Sequence, residues 1–536
     1  MSAVHGVGTM TGIAWRTGWK GLVAWVVALI GVMVLTGSSI AALYDTPEKV
    51  AGYAASLGGD AIAVLNGRIA GLDTLGGVFA NEFGFVMSFG VPVMAIALTA
   101  RHTRRDEETG RLELLLAARV GRYAPLVAAA LLASAAVVLA GLGIGAAMVA
   151  FDADATGSVR YGLGVAGLGL VFVGLTAVAA QVVEHNRAVW GIGLALAVAS
   201  YLVRGVGALQ ESALVWASPH GWVDELRTFG DDARWWPLAL PLAAWALLLV
   251  LAFWLRGRRD VGSALVQPRR ATPRASRALR TPVGLAWHQQ RGAVIGWAVG
   301  GAALMAVFGS LAQEIVDAVL DNPALGGFLG AGGGSEEQAA ELVLSPVMST
   351  FLMMLAMLVT AYVVMAVGGL RREEESARME VELSSRRSRG GWMATHLAIV
   401  VVGAAVIGAV GALALGGTAA ASLEDDSWVG ELLAGAAAYA PTAVIFLGLV
   451  VALFGWLPRG FGLAWAVFAV AALLAYLGPG LGLPDALLDA SPYLAVGQDV
   501  VGEGASASGA VVLTVVGAAL VAAGFVGLRR RDVPVR

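Results

Sequence analysis

Apolar residues along this chain come in long unbroken blocks, not in the alternation of half-buried strands or the one-sided stripe of a surface helix. Most blocks approach the roughly 20 residues that a helix needs to cross the hydrocarbon core of a bilayer. They lie near 21–43, 85–100, 124–150, 161–183, 188–205 and 237–255, then near 293–310, 347–370, 393–417, 432–455, 461–479 and 509–528. The second is short and holds Pro92, which is expected to kink it and help an opening motion. The pattern predicts an all-α polytopic membrane protein with twelve transmembrane helices. Ser39-Ile40-Ala41 resembles a small-residue cleavage site, but the Trp15 and Trp25 pattern before it recurs internally as Trp287 and Trp297, where no signal peptide can lie.

An even number of spans puts both termini on one side. With the termini assigned to the cytoplasm, the cytoplasmic segments carry 29 of the 35 Lys and Arg residues and 12 of the 38 Asp and Glu residues. A split of 29 basic residues against 6 fixes the expected orientation as N-in and C-in by the positive-inside rule. The protein is expected in the plasma membrane of a bacterium as a multi-pass chain.

Composition agrees with that class. The 536 residues are 58% hydrophobic and only 14% charged, against about 25% charged in a soluble domain. Glycine, at 72 residues, is in excess and suits helices that pack closely in lipid. There is no cysteine, which excludes disulfides and thiolate chemistry, and the six histidines are scattered without ligand spacing. No metal site, bound cofactor or nucleic-acid partner is expected.

The chain reads as a duplication. Residues 104–122, RRDEETGRLELLLAARVGR, align without a gap on 371–389, RREEESARMEVELSSRRSR, with nine of nineteen positions identical. Only Leu115/Glu382 and Val120/Arg387 break the match in size or charge. Ala14-Trp15 echoes Ala286-Trp287, and Ala217-Ser218-Pro219 echoes Ala490-Ser491-Pro492. Two six-span halves, 1–255 and 292–536, are therefore expected as parallel repeats. Residues 256–291 join them, with nine arginines, one acid and several prolines; they read as a solvated linker near anionic headgroups.

The repeated charged segment predicts a helix over 103–122 and a second over 370–389. Thr103 with Asp106 has the spacing of a capping box, acids fill the first turn, and Arg119 and Arg122 fall near the last. Glu107–Arg111 and Glu374–Arg378 are spaced as i,i+4 pairs, and Leu112, Leu115 and Leu116 give an apolar stripe. A lone copy suits a connector on the bilayer surface. Two copies in equivalent loops, longer than a hairpin needs, point to docking elements for a two-fold symmetric cytoplasmic partner.

The run at Glu107, Glu108, Gly110, Glu113 to Ala117, Val120 and Arg122 resembles the cytoplasmic loop of type-2 ABC transporter permeases. A single chain of twelve spans with two such loops is similar to the actinobacterial exporters of polyketide antibiotics, the tetronasin-type multidrug efflux permeases. The second copy departs from the pattern at Ala377, Glu382 and Arg387. The resemblance implies the type-2 ABC exporter transmembrane fold, with the two segments as coupling helices that dock on two copies of a nucleotide-binding ATPase subunit. Partner-binding residues would be Glu107, Glu108, Gly110, Arg111, Glu113 and Leu114, with Glu374, Glu375, Arg378 and Glu380 in the second copy. ATP and Mg2+ would be bound by the partner.

The chain itself has no P-loop, which needs a lysine after a glycine-rich loop; its lysines are Lys20, after Trp19, and Lys49, after Glu48. The glycines at 162, 164 and 167 lie inside an apolar span and are expected to serve close helix packing. No nucleophile elbow is present, so the chain is not expected to be an enzyme by itself. The alternative is a proton-coupled twelve-span drug antiporter, against which stands the lack of any Asp or Glu in the spans.

The cargo is expected to be hydrophobic or amphipathic, such as an antibiotic. Half the methionines fall in the second and eighth spans, at 87, 94, 348, 353, 354, 357 and 365, beside aromatic residues at 85, 89, 351 and 362. Such soft side chains suit promiscuous apolar surfaces. The family places its cavity between the halves, which implies substrate contacts at Phe85, Met87, Phe89, Met94, Phe351, Met353, Met354 and Met357. The outer segments 44–84, 206–236, 310–345 and 480–508 are expected to form short helices over the exit, with a mobile run at Gly332–Gly334.

Overall fold

The computed structural model describes residues 3–56, 66–116, 120–260, 262–266, 276–320, 336–375, 378–384, 388–479, 483–488 and 490–531. Ala117, Arg119, Gly332–Gly334, Ala377 and Arg387 lie outside the described residues. The chain forms two compact units, Met1–Arg270 and Ala271–Arg536.

In the first unit the long helices are α1 (Val7–Leu43), α2 (Leu75–Ala100), α4 (Ala124–Ala150), α5 (Ala155–Val182), α6 (Asn186–Leu209) and α8 (Ala239–Gly257). Among the short ones between them are α3 (Arg111–Leu116) and α7 (Pro219–Asp224). Side-chain caps set the starts: Thr74 Oγ1 accepts from the Gly77 amide at 3.0 Å and Asp154 Oδ2 from the Gly157 amide at 2.6 Å. α5 is the central helix, packed by α2, α4 and α8. Close approach along it depends on glycine. A Cβ on Gly162 would stand 2.4 Å from the Gly141 carbonyl oxygen, and one on Gly167 would meet the Pro241 ring. The G-x-G-x-x-G string is thus a packing device.

The second unit holds α9 (Pro282–Gly309), α10 (Glu336–Glu375), α11 (Arg378–Leu383), α12 (Arg389–Leu423), α13 (Ser427–Ala438), α14 (Ala440–Trp456), α15 (Gly462–Leu477) and α16 (Ala507–Arg530). α9 pairs with α12 and α14 with α16. The second pair is a backbone-to-backbone contact: a Cβ on Gly455 would stand 2.2 Å from the Gly524 carbonyl oxygen.

Eleven helices among the described residues are long and apolar enough to cross a membrane. The span expected at 461–479 is the exception. It forms α15, whose 16 residues rise only about 24 Å against roughly 30 Å of hydrocarbon. By contrast α1 has 37 residues and a length of about 55 Å, so its first turns extend beyond any bilayer core. The second span is also longer than its apolar block: α2 begins at Leu75 and carries Asn81 and Glu82 in its first turns, where Tyr53 Oη donates to Glu82 at 2.5 Å and Asn81 Nδ2 donates to Tyr53 Oη at 2.8 Å. Glu431 lies in α13, at the start of the tenth span. The helices therefore do contain acids, near their ends, because helix length exceeds the hydrophobic blocks that reveal it.

The start of the arginine-rich segment 256–291 is partly folded onto the first unit, while Arg258, Asp260, Leu265, Val266 and residues 276–278 are exposed. Arg256, Arg259 and Ala264 are buried in the first unit. The Leu265 and Val266 amides donate to the carbonyls of Gln181 and Val182, and residues from 282 onward belong to α9.

Candidate functional site

The repeated charged segment is built differently from one continuous helix. α2 runs past Ala100 through a π-helical turn at Arg101–Arg105 and ends at Glu108. Thr103 is therefore mid-helix: its hydroxyl donates to the Thr99 carbonyl and caps nothing. The chain then turns at Thr109 and Gly110, and Gly110 takes φ +69°, the left-handed region that glycine enters without a Cβ penalty. α3 follows as a separate helix of six residues. In the second unit α10 likewise runs on to Glu375, and α11, again six residues, starts at Arg378.

That break reassigns the acids. Glu107 is buried and does not pair with Arg111. Its carboxylate is held by Arg104, by Arg256 Nη1 at 3.2 Å and by Arg259 Nη2 at 2.7 Å. Arg259 Nε also donates to Gln181 Oε1 at 2.9 Å, and Arg104 donates to the Ser263 carbonyl at 3.0 Å. One carboxylate thus ties the end of α2 to the end of α8 and the chain beyond it. Glu108 accepts from the Asn186 amide at 2.8 Å, which satisfies an open donor at the start of α6.

The second unit repeats the arrangement. Glu374, 7% exposed at its side chain, pairs with Arg531 Nη2 at 2.6 Å, just beyond α16, and Arg531 also stacks over Phe454. Glu374 does not pair with Arg378. The pairs that form are Asp106–Arg111 at 3.9 Å, across the turn at Gly110, and Glu373–Arg378 at 3.5 Å, while Glu375 pairs with Arg371 at 2.9 Å.

Of the sequence-derived docking residues, Arg111, Glu113 and Leu114 face outward on α3, and Arg378 faces outward on α11 with Glu380 half-buried. Leu112 is buried, Leu115 packs against Met10 and Ala124, and Met379 is buried in the second unit. Leu114 is 79% exposed and Val381, at the matching place on α11, is 73% exposed. The chain beyond α3 is held to the segment before α1: the Gly121 and Tyr123 amides donate to the carbonyls of His5 and Ala3. Each unit so presents one short amphipathic helix with a bare aliphatic side chain, braced from behind by its own core.

The expected cargo residues divide. Met87 and Met94 are buried in the first unit's core. Phe85 and Phe89 pack together and against Tyr201 of α6, with ring centroids 4.8 Å apart for Phe89 and Tyr201. Phe351 stacks on Phe308 at 4.4 Å, Met354 and Met357 are half-buried, and Met353 lines a cavity in the second unit.

A buried polar group in the first unit was not singled out by the sequence. Arg204 of α6, Asp224 and His220 of α7 and Ser88 of α2 surround a cavity of about 40 Å3, room for one or two waters. Arg204 Nη1 lies 3.8 Å from Asp224 Oδ2, and His220 bridges Ser200 Oγ and the Ser88 carbonyl. Burial raises the Asp224 carboxyl to about 7, although the Arg204 cation pulls it down. The one available signal was Arg204 itself, an arginine inside an apolar block. Ser218, from the Ser-Pro echo, caps α7 and donates to the Ser200 carbonyl at 2.6 Å; Ser491 donates to the Ala471 carbonyl at 2.9 Å. Both hydroxyls pin a loop onto the preceding long helix.

The family described as the multidrug efflux system permease Rv1217c, C-terminal domain, matches residues 7–255 and 279–529. The multidrug efflux system permease protein Rv1217c of Mycobacterium tuberculosis is 34% identical over 499 residues, 92% of this chain and 89% of the relative.

Proposed function

Because the chain belongs to the family of the multidrug efflux system permease Rv1217c, we propose that it is the membrane-spanning subunit of an ATP-driven ABC exporter of the type-2 class. Two copies of a separate nucleotide-binding subunit supply the ATP and Mg2+ chemistry, and the cargo is a hydrophobic or amphipathic compound such as an antibiotic. The chain crosses the plasma membrane twelve times in two parallel repeats, α15 being the short crossing, with both termini and both amphipathic helices in the cytoplasm. Closure of the ATPase pair on ATP moves α3 and α11 together, and the differential affinity for ATP of the closed state drives cargo outward.

The observation that carries this reading is the pair of bare aliphatic side chains, Leu114 and Val381, on matching short helices. Buried in a groove, each contributes about 1.5–3 kcal/mol. Glu107 and Glu374 act behind them, as ties between the docking helix and the last long helix of each unit. The test is co-purification of the tagged chain with its ATPase. Wild type is expected to retain the ATPase, and Leu114→Asp with Val381→Asp to lose it while the chain stays folded, since neither side chain packs inside. Retention by the double variant, or no capture by wild type, overturns the docking reading.

A proton-coupled antiporter is the second reading, favoured by the buried Asp224 carboxyl. It requires export that continues without ATP and stops when the proton gradient is collapsed.

A further inference from the structure

The second unit contains a cavity of about 740 Å3 between α10, α15 and the loop before α16. That volume is of the size that holds a drug-like molecule. Pro346, Met353, Tyr476 and Leu494 line it with apolar and aromatic surface, and Asp499 and Glu503 add two carboxylates. No lysine, arginine or histidine lines it among the described residues. Neither acid makes an ion pair with a described residue.

The Asp499 carboxylate is held in place by the protein. Its Oδ1 accepts from Ser349 Oγ at 2.8 Å and from the Gly502 amide at 2.8 Å, while Ser349 Oγ accepts from the Val501 amide at 3.1 Å. Those bonds tie the loop to α10 and fix the charge before any ligand arrives. The outer segments read from the sequence carry the same sign. Residues 310–345, 418–431 and 480–508 carry fourteen acids and no lysine, arginine or histidine. On the proposed topology these segments lie on the outer side, where charge of one sign concentrates cations. A chamber apolar on one part of its wall and polar on the rest, with unpaired negative charge and a tyrosine ring, suits a lipophilic organic cation, whose body is buried and whose charge meets carboxylate and ring face. A small metal ion is a poorer match, because the described residues hold no cluster of three or more metal-ligating side chains.

We propose that this cavity binds lipophilic organic monocations, as a cargo site within the second unit. The inference rests on the export reading and names a cargo class for it.

The test uses two probes of the same shape and opposite charge, tetraphenylphosphonium and tetraphenylborate. Binding of each is measured by equilibrium dialysis on the purified full chain in neutral detergent, without ATPase or ATP. Uptake by detergent is common to wild type and variants, so the comparison between proteins reads the site. Glu503→Gln removes an exposed charge that holds nothing in place, and Asp499→Asn keeps the Oδ1 acceptor. Each is expected to weaken tetraphenylphosphonium binding about tenfold and to leave tetraphenylborate unweakened. Glu503→Lys is expected to weaken the cation further and strengthen the anion. Equal loss of both probes, or no change for the cation, overturns the proposal. Cation binding by a chain that captures no ATPase leaves this site standing and removes ATP-driven export. Capture of an ATPase without charge selectivity removes the site and leaves the export reading.

Discussion

Glu107 Oε1 lies 2.7 Å from Arg259 Nη2, across 152 positions of the chain. With Arg104 and Arg256 on the same carboxylate, the end of α2 is locked to the end of α8 at the base of α3. Glu107→Ala strands buried guanidinium groups and is expected to cost about 3–5 kcal/mol. Glu108→Ala removes only an acceptor at the start of α6 and is expected to cost about 1 kcal/mol. Thermal unfolding of the purified variants checks the order; equal losses would deny Glu107 its central place.

Two glycines are expected to answer alanine with opposite signs. A Cβ on Gly455 meets the Gly524 carbonyl oxygen at 2.2 Å, whereas one on Gly417, in α12, meets nothing within 4 Å. Gly455→Ala forces α14 and α16 apart and is expected to destabilise by about 1–3 kcal/mol. Gly417→Ala lowers the entropy of the unfolded chain and is expected to stabilise by up to about 1 kcal/mol. Melting curves of the two single variants decide it.

The Asp224 carboxyl has its folded value near 7 against an ordinary 3.8, chiefly through burial. The folded state therefore keeps a proton that the unfolded chain releases. The stability this gives is complete below the unfolded value and is lost as pH rises through the folded one. Wild type is expected to melt at falling temperature between about pH 4 and about pH 7. Asp224→Asn is expected to flatten that slope; an unchanged slope assigns it to other groups.

The chain has no cysteine, so single introduced thiols report sidedness without a background. Leu114→Cys and Val381→Cys are expected to react with an impermeant maleimide only in inverted vesicles, and Glu424→Cys only in intact cells. Labelling of Leu114→Cys and Glu424→Cys from the same side contradicts the proposed orientation.

Most long helices were legible because lipid demands a continuous apolar run: the block at 124–150 is α4 to the residue. The glycine string was legible too, since small residues inside an apolar run mark close helix contacts whatever their partner. The repeated charged segment was not. Thr103 and Asp106 have the right spacing for a cap, but α2 arrives already helical and runs through them. Glu107 and Arg111 sit four apart, yet the turn at Gly110 separates them and Arg256 and Arg259 take the carboxylate. Local pairing rules lose to partners 149 and 152 positions away. α15 stands apart for the opposite reason, since its composition is apolar throughout and only its length falls short.

The tie between Glu107 and Arg259 also sets a clock for biogenesis. At about 5–20 residues per second, the ribosome takes roughly 8–30 s to deliver the second partner after the first. During that interval Arg104 alone faces the carboxylate, and the base of α3 has no brace from α8. A chain that stops before residue 256 therefore lacks both of the partners that join α2 to α8, and α3 stands unbraced on that side.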